Sequence, residues 1–514
     1  MSAAHDFVIV IPVADRPRQL ADCLASLWRL LERFPYAGAV SVLIVDDSLE
    51  SAAIAAHRAL AATHTRAGLP THHLDRAAQQ ALVEAFPDAL RQRLTAVLGL
   101  PEADSTERLG PSVCRNLACL WLNRQPRGRR LIWFVDSDER FQVETATDMG
   151  GTRPHDLDYL HTLDRLFSER PIEVLTGKVV GDPPVSPAVM ANTLLDDVIA
   201  FFTALAAEDP HAPCRFHGES TSSPGAAYHD MADLFGYAPT LSTPYRCPLP
   251  GAHDHLATLA HFAASLGQFF DGVHPTRRSL FEVGEPLTLA PARTVYTGNY
   301  VIAGSALAWF IPFASLKLRM AGPTLGRLLK AELGPSFVSA NLPLWHGRTL
   351  AELGRSECRP GVARTCEGVD LSGEFERQYH GDVLLFSIEA LTAQDYPHSA
   401  LSTDLIRHTV ETVEARLYAR YTSQQNAVEE RIGRLKTLVS ETAYWWNTVA
   451  AAAPARETLA RFLRDMRLNF GLEAAPWQAI GAPDARAARR TALCQAIMRY
   501  PDERTAWREA LHRT

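Results

Sequence analysis

Cysteine is scarce in this chain: eight in 514 residues, with no C-x-x-C pair. This excludes a scaffold built on disulfides. Isolated buried thiols in a reducing compartment are expected for Cys23, Cys114, Cys119, Cys214, Cys247, Cys358, Cys366 and Cys494. An excess of basic charge is also missing. Lys and Arg number 51 against 58 Asp and Glu, a formal net charge of −7, which excludes a nucleic-acid binder working by bulk charge. Only one stretch, Thr294 to Leu316, is long and uncharged enough to pass for a membrane span. It carries Gly298, Asn299, Gly304 and Pro312, so a buried strand, turn and helix is expected there and no transmembrane segment. No signal peptide precedes the apolar run Phe7-Val8-Ile9-Val10-Ile11, and the expected location is cytoplasmic.

Hydrophobic residues make up 47% and charged residues 21%, which is ordinary for a globular chain. The length corresponds to two to four domains, or to one large α/β domain with additions. In the N-terminal third, short apolar strands alternate with helical spacing. Strands are expected at 7–13, 39–45 and 130–135. Helices are expected at 18–34, with Leu20, Leu24, Leu27, Leu30 and Leu31 on one face, and at 111–123. Such alternation predicts an α/β fold with a mostly parallel sheet covered by helices. Ligands gather beyond the carboxyl ends of strands in such sheets. Two acidic clusters fall there, Asp46-Asp47-Ser48 and Asp136-Ser137-Asp138-Glu139.

Carboxylates at positions i and i+2 after a buried strand can approach one hard divalent cation, Mn²⁺ or Mg²⁺, leaving coordination sites for a diphosphate. The alternative is a strand-end turn, where Asp and Ser make local hydrogen bonds.

Four segments in order resemble the donor half of a GT-A glycosyltransferase. They are Val8 to Arg16 with Pro12 and Asp15, Val45-Asp46-Asp47-Ser48, Gly110-Pro111-Ser112-Val113-Cys114-Arg115-Asn116, and the D-S-D strand end. The likeness is to family-2-like members, with features of the retaining mannosylglycerate synthase-like enzymes. The resemblance implies a nucleotide-sugar donor held by Pro12, Asp15, Asp46, Asp47, Arg115, Asn116 and Asp136. It implies a metal on Asp136 and Asp138, with Asp138 the more direct ligand and a catalytic residue. The second motif departs slightly, because Ser48 follows Asp47 directly. A surface Arg–Asp pair and an ordinary helix cap are the alternatives for Asp15 and Asn116.

Further on, Tyr296-Thr297-Gly298-Asn299-Tyr300 resembles the family's G-G-N acceptor turn, which implies acceptor contacts from Gly298 and Asn299. Phe337 to Trp345 reads as a strand ending in His346, where several GT-A families place a third metal ligand. The acid pair that inverting members carry after the acceptor turn is absent: no Asp or Glu occurs between Glu285 and Glu332. Retention of configuration is therefore expected, with Arg319 as a second catalytic candidate. Lys317 and Arg319 suit an anionic acceptor such as a carboxylate or phosphate, or form a solvated helix face. The expected activity is transfer of a sugar to a small or anionic acceptor. The alternatives are a nucleotidyltransferase, weakened by the lack of glycine in Pro12 to Pro17, and a non-catalytic sugar-nucleotide-binding protein.

His217, His229, His253, His255, His261 and His274 crowd one irregular region, with Asp230 and Asp254 beside them. A His/Asp hydrolase centre is the rival reading, without H-E-x-x-H spacing to support it. The expected organisation is a donor half at 1–175, an acceptor half at 176–350, a connecting lid at 351–400 and a helical region at 401–514. Helices at 400–421 and 427–448 leave an apolar face to bury, on the catalytic domain or on a second subunit. A homodimer through Trp445, Trp446, Trp477 and Trp507 is the expected use.

Overall fold

The computed structural model describes residues 4–99, 107–125, 128–147, 152–217, 245–284, 288–348, 359–365 and 368–513. Cys358, Cys366, His229 and Asp230 lie outside the described residues.

The strands are β1 (Asp6–Val13), β2 (Val40–Asp46), β3 (Thr71–Leu74), β4 (Arg130–Val135), β5 (Glu139–Arg140), β6 (Gln142–Ala146), β7 (Thr152–Asp156), β8 (Val174–Gly181), β9 (Leu289–Pro291), β10 (Asn299–Ala303) and β11 (Phe337–His346); the apolar runs of β1, β2, β4, β8 and β10 are buried on both faces. One sheet runs in the order β3-β2-β1-β4-β10-β8-β11-β5, with β9 paired to β11. Among its long strands only β10 runs against the others. The fold is therefore α/β, a large mostly parallel sheet covered by helices, as the alternation predicts. Strands β8, β10 and β11 complete the sheet begun by the first 135 residues. The carboxyl ends of β1, β2, β4, β8 and β11 and the start of β10 meet at one edge.

Helix Pro17–Arg33 starts on proline, whose missing N–H costs nothing at that position. It buries Leu20, Leu24, Leu27 and Leu30 on one sheet face. Helix Pro111–Asn123 packs on the other face; Gly110, at φ 90°, turns the chain into it. The 294–316 stretch is β10 followed by two short 3₁₀ turns, and the next helix begins only at Ala321. Among the described residues, one helix, Pro187–Leu205, is long and apolar enough to cross a membrane. Here it is a packed element, lying against Thr403–Ser440, with Arg431 bridging to Asp196 at 2.7 Å.

The C-terminal region is helical: Thr403–Ser440, Trp445–Thr448, Ala453–Phe470, Ala475–Gly481 and Pro483–Arg513. The expected helix over 427–448 instead breaks after Ser440. Asn447 Nδ2 caps the break, donating to the carbonyls of Val439 at 2.9 Å and Glu441 at 2.7 Å. The break turns Trp446 inward, where it is fully buried 5.4 Å from the Phe202 ring. Trp507 is also fully buried and donates its Nε1–H to the Leu307 carbonyl at 3.0 Å. These tryptophans are spent on contacts within the chain, so nothing here supports the expected dimer through them. Residues 372–392, placed in the expected lid, form a helix with buried residues on most of its faces.

A chain ending at residue 400 should be insoluble, because helix Pro187–Leu205 loses its cover; Trp507→Ala in the full chain should cost about 3–5 kcal/mol in denaturant unfolding. Asp382 is fully buried between Tyr421 Oη and Gln378 Nε2, and burial pushes its carboxyl up to about 7, against those two hydrogen bonds. A carboxyl raised on folding stabilises below its unfolded pKa, and that contribution is lost as pH rises through the folded value. Asp382→Asn should therefore raise Tm at pH 8 and leave it nearly unchanged at pH 4; at 1.36 kcal/mol per pKa unit the ceiling is about 4 kcal/mol.

Candidate functional site

At the carboxyl edge of the sheet, loops from five strands enclose a cleft of about 630 Å³. Pro12, Asp47, Arg115, Asp136, Asp138, Lys317, Arg319 and His346 all line it. Its centre is the end of β4. Asp136 pairs with the Arg115 guanidinium. Asp138 Oδ2 accepts from Arg16 Nη1 at 2.8 Å and stands 3.8 Å from His346 Nε2. Burial pushes the Asp138 carboxyl up, but the guanidinium charges of Arg16 and Arg348 help hold it below the usual carboxylate range. Glu139 is fully buried, and burial together with Asp136 and Asp138 drives its pKa far up.

The register of the sheet delivers His346. Its residue pairs with Gly181 in β8 and with Glu139 in β5, one residue beyond Asp138. The ring Nδ1 lies 2.7 Å from the Asp182 carbonyl, which can only accept, so Nδ1 carries the proton. Nε2 keeps its lone pair toward Asp138, and burial lowers the ring's pKa. Such a backbone-held imidazole is the usual state of a metal-ligating histidine. Carboxylate oxygens at the end of β4 with a neutral imidazole nitrogen fit Mn²⁺ or Mg²⁺, and Arg16 occupies the Asp138 oxygen that a cation would share.

The other half of the cleft is basic, and its organiser was not visible in the sequence. Glu374 is buried, with Oε1 taking Arg319 Nη1 at 2.8 Å and Oε2 taking Arg359. Burial pushes its carboxyl up, but Arg359, Arg319, Arg348 and Arg377 together hold it low. Burial in turn lowers Arg319 and Arg359 to about 10. Arg348 donates to the carbonyls of Pro183 at 3.1 Å and Val185 at 3.3 Å, and Arg377 to those of Lys317 and Pro360. The wall carrying Lys317 and Arg319 has three non-glycine residues in left-handed backbone, Phe313, Lys317 and Met320. Such conformations persist only where surrounding structure enforces them, and they cluster at functional sites.

Several expected site residues are used elsewhere. Asp46 is fully buried and accepts from His57 Nδ1 at 2.9 Å and His73 Nε2 at 2.8 Å. Burial raises its carboxyl, but those bonds and that from Ser48 hold it well below its ordinary value. It braces β2 to β3, while Asp47 alone reaches the cleft, accepting from the Leu109 and Gly110 N–H groups. Asp15 holds its loop to residues 49–50 and to Arg108. Asn116 is buried between the Val97 and Ile311 carbonyls. Asn299 is not a turn residue but the first of β10; its amide donates to the carbonyls of Lys178 and Leu342 and accepts from Trp133 Nε1 at 2.9 Å. Neither asparagine has a group left for a substrate. Gly298 has a different use, since a Cβ there would stand 2.5 Å from Glu139 Oε1 and 2.9 Å from Asp136 Oδ2.

The histidine-rich region does not assemble a His/Asp centre among the described residues. Asp254 caps helix His255–Leu266, His255 lies against the Asp209 carbonyl, and His274 is buried between Thr193 and Thr276.

No protein-family profile and no curated protein sequence matches this chain. Among solved structures it resembles TarS of S. aureus, at 12% identity and a TM-score of 0.32, covering 90% of this chain and 55% of that one. It likewise resembles the 1–349 form of TarS at 12% identity and a TM-score of 0.32, covering 95% and 92%. The chain thus spans little more than half of the longer TarS structure. Similarity at this level fixes neither substrate nor activity.

The acid cluster predicts a steric result. Gly298→Ala should destabilise by about 1–3 kcal/mol, because the new methyl group overpacks against two carboxylates. Gly433, inside helix Thr403–Ser440 with nothing within 4 Å of an added Cβ, is the control. Gly433→Ala should raise stability by about 0.5–1 kcal/mol; thermal unfolding of both variants checks the contrast.

Proposed function

We propose that this chain is a glycosyltransferase that moves a sugar from a nucleotide-diphosphate donor to a small anionic acceptor, with a divalent cation and with retention of configuration. The observation that carries the reading is the approach of His346 Nε2 to Asp138 Oδ2, 3.8 Å apart at the head of the cleft. The two residues come from strands more than 200 positions apart, and the imidazole tautomer is fixed by the Asp182 carbonyl. Asp136, Asp138 and His346 would hold Mn²⁺ or Mg²⁺, which when bound neutralises charge on a departing diphosphate.

The chain's own groups fit the rest of the reaction. Arg16 and Arg108 line the cleft beside the acidic cluster, where guanidinium forks suit phosphate oxygens. Arg319, Arg348, Arg359 and Arg377 surround one buried carboxylate, Glu374, while Lys317 pairs with Glu107, so that end of the cleft keeps an excess of positive charge. In this reading a carboxylate or phosphate on the acceptor supplies the missing negative charge. The pocket's arginines are already oriented by backbone carbonyls and Glu374, so little ordering remains to be done on binding.

Retention is supported by what the cleft carboxylates are doing. Asp47 accepts two backbone N–H groups, Glu374 two arginines, Glu107 the Lys317 ammonium, Asp136 Arg115 and Asp138 Arg16. Among the described residues lining the cleft, no carboxylate stands without a donor as base for an acceptor hydroxyl. This agrees with the acid-free segment 286–331.

A panel of nucleotide sugars tested by thermal shift with and without Mn²⁺ checks the proposal. One donor should raise Tm only with metal, by the equivalent of about 2.7 kcal/mol at a hundredfold excess over Kd. Asp138→Ala should lose that shift while keeping the fold, since the residue sits in a strand-end loop. If no nucleotide sugar stabilises the chain, or the variant binds one normally, the reading fails. With the acceptor found, an NMR spectrum showing the inverted linkage would remove retention alone.

A further inference from the structure

The isolated thiols expected from the sequence are not all isolated. The Sγ atoms of Cys214 and Cys247 and a ring nitrogen of His253 lie within 4.8 Å of one another. Cys247 Sγ is 3.2 Å from His253 Nε2. His253 Nδ1 lies 3.0 Å from the Gly251 carbonyl, so it holds the ring proton and leaves the Nε2 lone pair facing the sulfurs. The His217 ring follows, its centroid 5.2 Å from that of His253, on the exposed side of the group.

We propose that Cys214, Cys247, His253 and His217 form a structural zinc site. A tetrahedral centre with Zn–S of about 2.3 Å and Zn–N of about 2.0–2.1 Å needs ligand atoms roughly 3.3–3.8 Å apart. The three nearest atoms already approach that spacing, and a change in the His217 side chain brings the fourth. The sequence pattern is C-x₂-H followed by C-x₅-H across 29 intervening residues, 218 to 246. That interval hid it from a search for contiguous metal motifs. Thiolate with imidazole is the ligand set that selects zinc over the hard cations suited to the cleft.

The surroundings are built to hold the group. Cys247 N–H donates to the Phe216 carbonyl at 2.7 Å, and Cys214 N–H to the His253 carbonyl at 2.8 Å. The backbone thus fixes both arms independently of the side chains. Cys247 is buried and Cys214 half-buried. Phe216 and Tyr245 pack on Phe201, with centroids at 5.2 and 4.9 Å, fixing the arms to helix Pro187–Leu205. Four protein ligands leave no coordination position for substrate, so the role is to tie the backbone around Cys214 and Cys247 to this helix. Binding releases the thiol protons, and no redox step is involved.

The test is elemental analysis of the full reduced chain after dialysis, together with cobalt substitution. One zinc per chain should remain, and the Co²⁺ form should show thiolate-to-cobalt charge transfer with tetrahedral d–d bands. Cys214→Ser with Cys247→Ser should lose both signals, whereas Asp138→Ala, in the cleft, should keep them. His217→Ala should keep the charge-transfer band but release zinc faster to a chelator; unchanged release would remove His217 from the ligand set. The cobalt spectrum of the unaltered chain decides the matter even if the double variant does not fold. A Co²⁺ form without thiolate charge transfer, or a Cys214–Cys247 disulfide in place of free thiols, would overturn the proposal.

Discussion

Like-charge repulsion is the constraint around which the cleft is organised. Three carboxyl groups, Asp136, Asp138 and Glu139, lie within four residues at the end of one buried strand, and three charges cannot coexist there without compensation. The structure answers in two ways. Arg115 and Arg16 each take one aspartate, and Glu139 is driven toward its neutral form. Gly298 is part of the same solution, since any side chain there would collide with two of the carboxyl groups.

The opposite end of the cleft inverts this arrangement. There one carboxylate, Glu374, serves several arginines, and its position depends on helix Ser372–Thr392. That helix is locked from below by the C-terminal region. Asp382 bonds Tyr421, the Phe375 ring lies 5.1 Å from Trp477, and Asn469 Oδ1 accepts the Leu371 N–H at 2.8 Å. The helical region sets where the basic wall stands. One contiguous apolar cluster runs from β1 and β2 through helix Pro187–Leu205 to Trp507, so the wall and the sheet edge are held in one packed unit.

What the sequence by itself determined is whatever rests on local chemistry. Apolar runs of strand length fixed β1, β2 and β4, the leucine spacing fixed helix Pro17–Arg33, and acidic clusters just after the strands marked the edge where the cleft lies. Those features follow from side-chain period and strand-end turns, which act over a few residues. His346 was also within reach, because the strand that carries it ends where the apolar run ends.

The tertiary structure decided which polar groups face the cleft. Asp46 and Asp47 are adjacent and alike in sequence, yet strand alternation sends one to His57 and His73 in the interior and the other to the cleft. Asn116 and Asn299 look like ligand contacts until their amides are seen to satisfy buried backbone carbonyls. Arg348, Arg359, Glu374 and Arg377 carry no local pattern, and neither does the meeting of Cys214 with Cys247 and His253. Charge pairing and sulfur contacts act between atoms a few ångströms apart in space, and only the folded chain brings residues so far apart in sequence within that range.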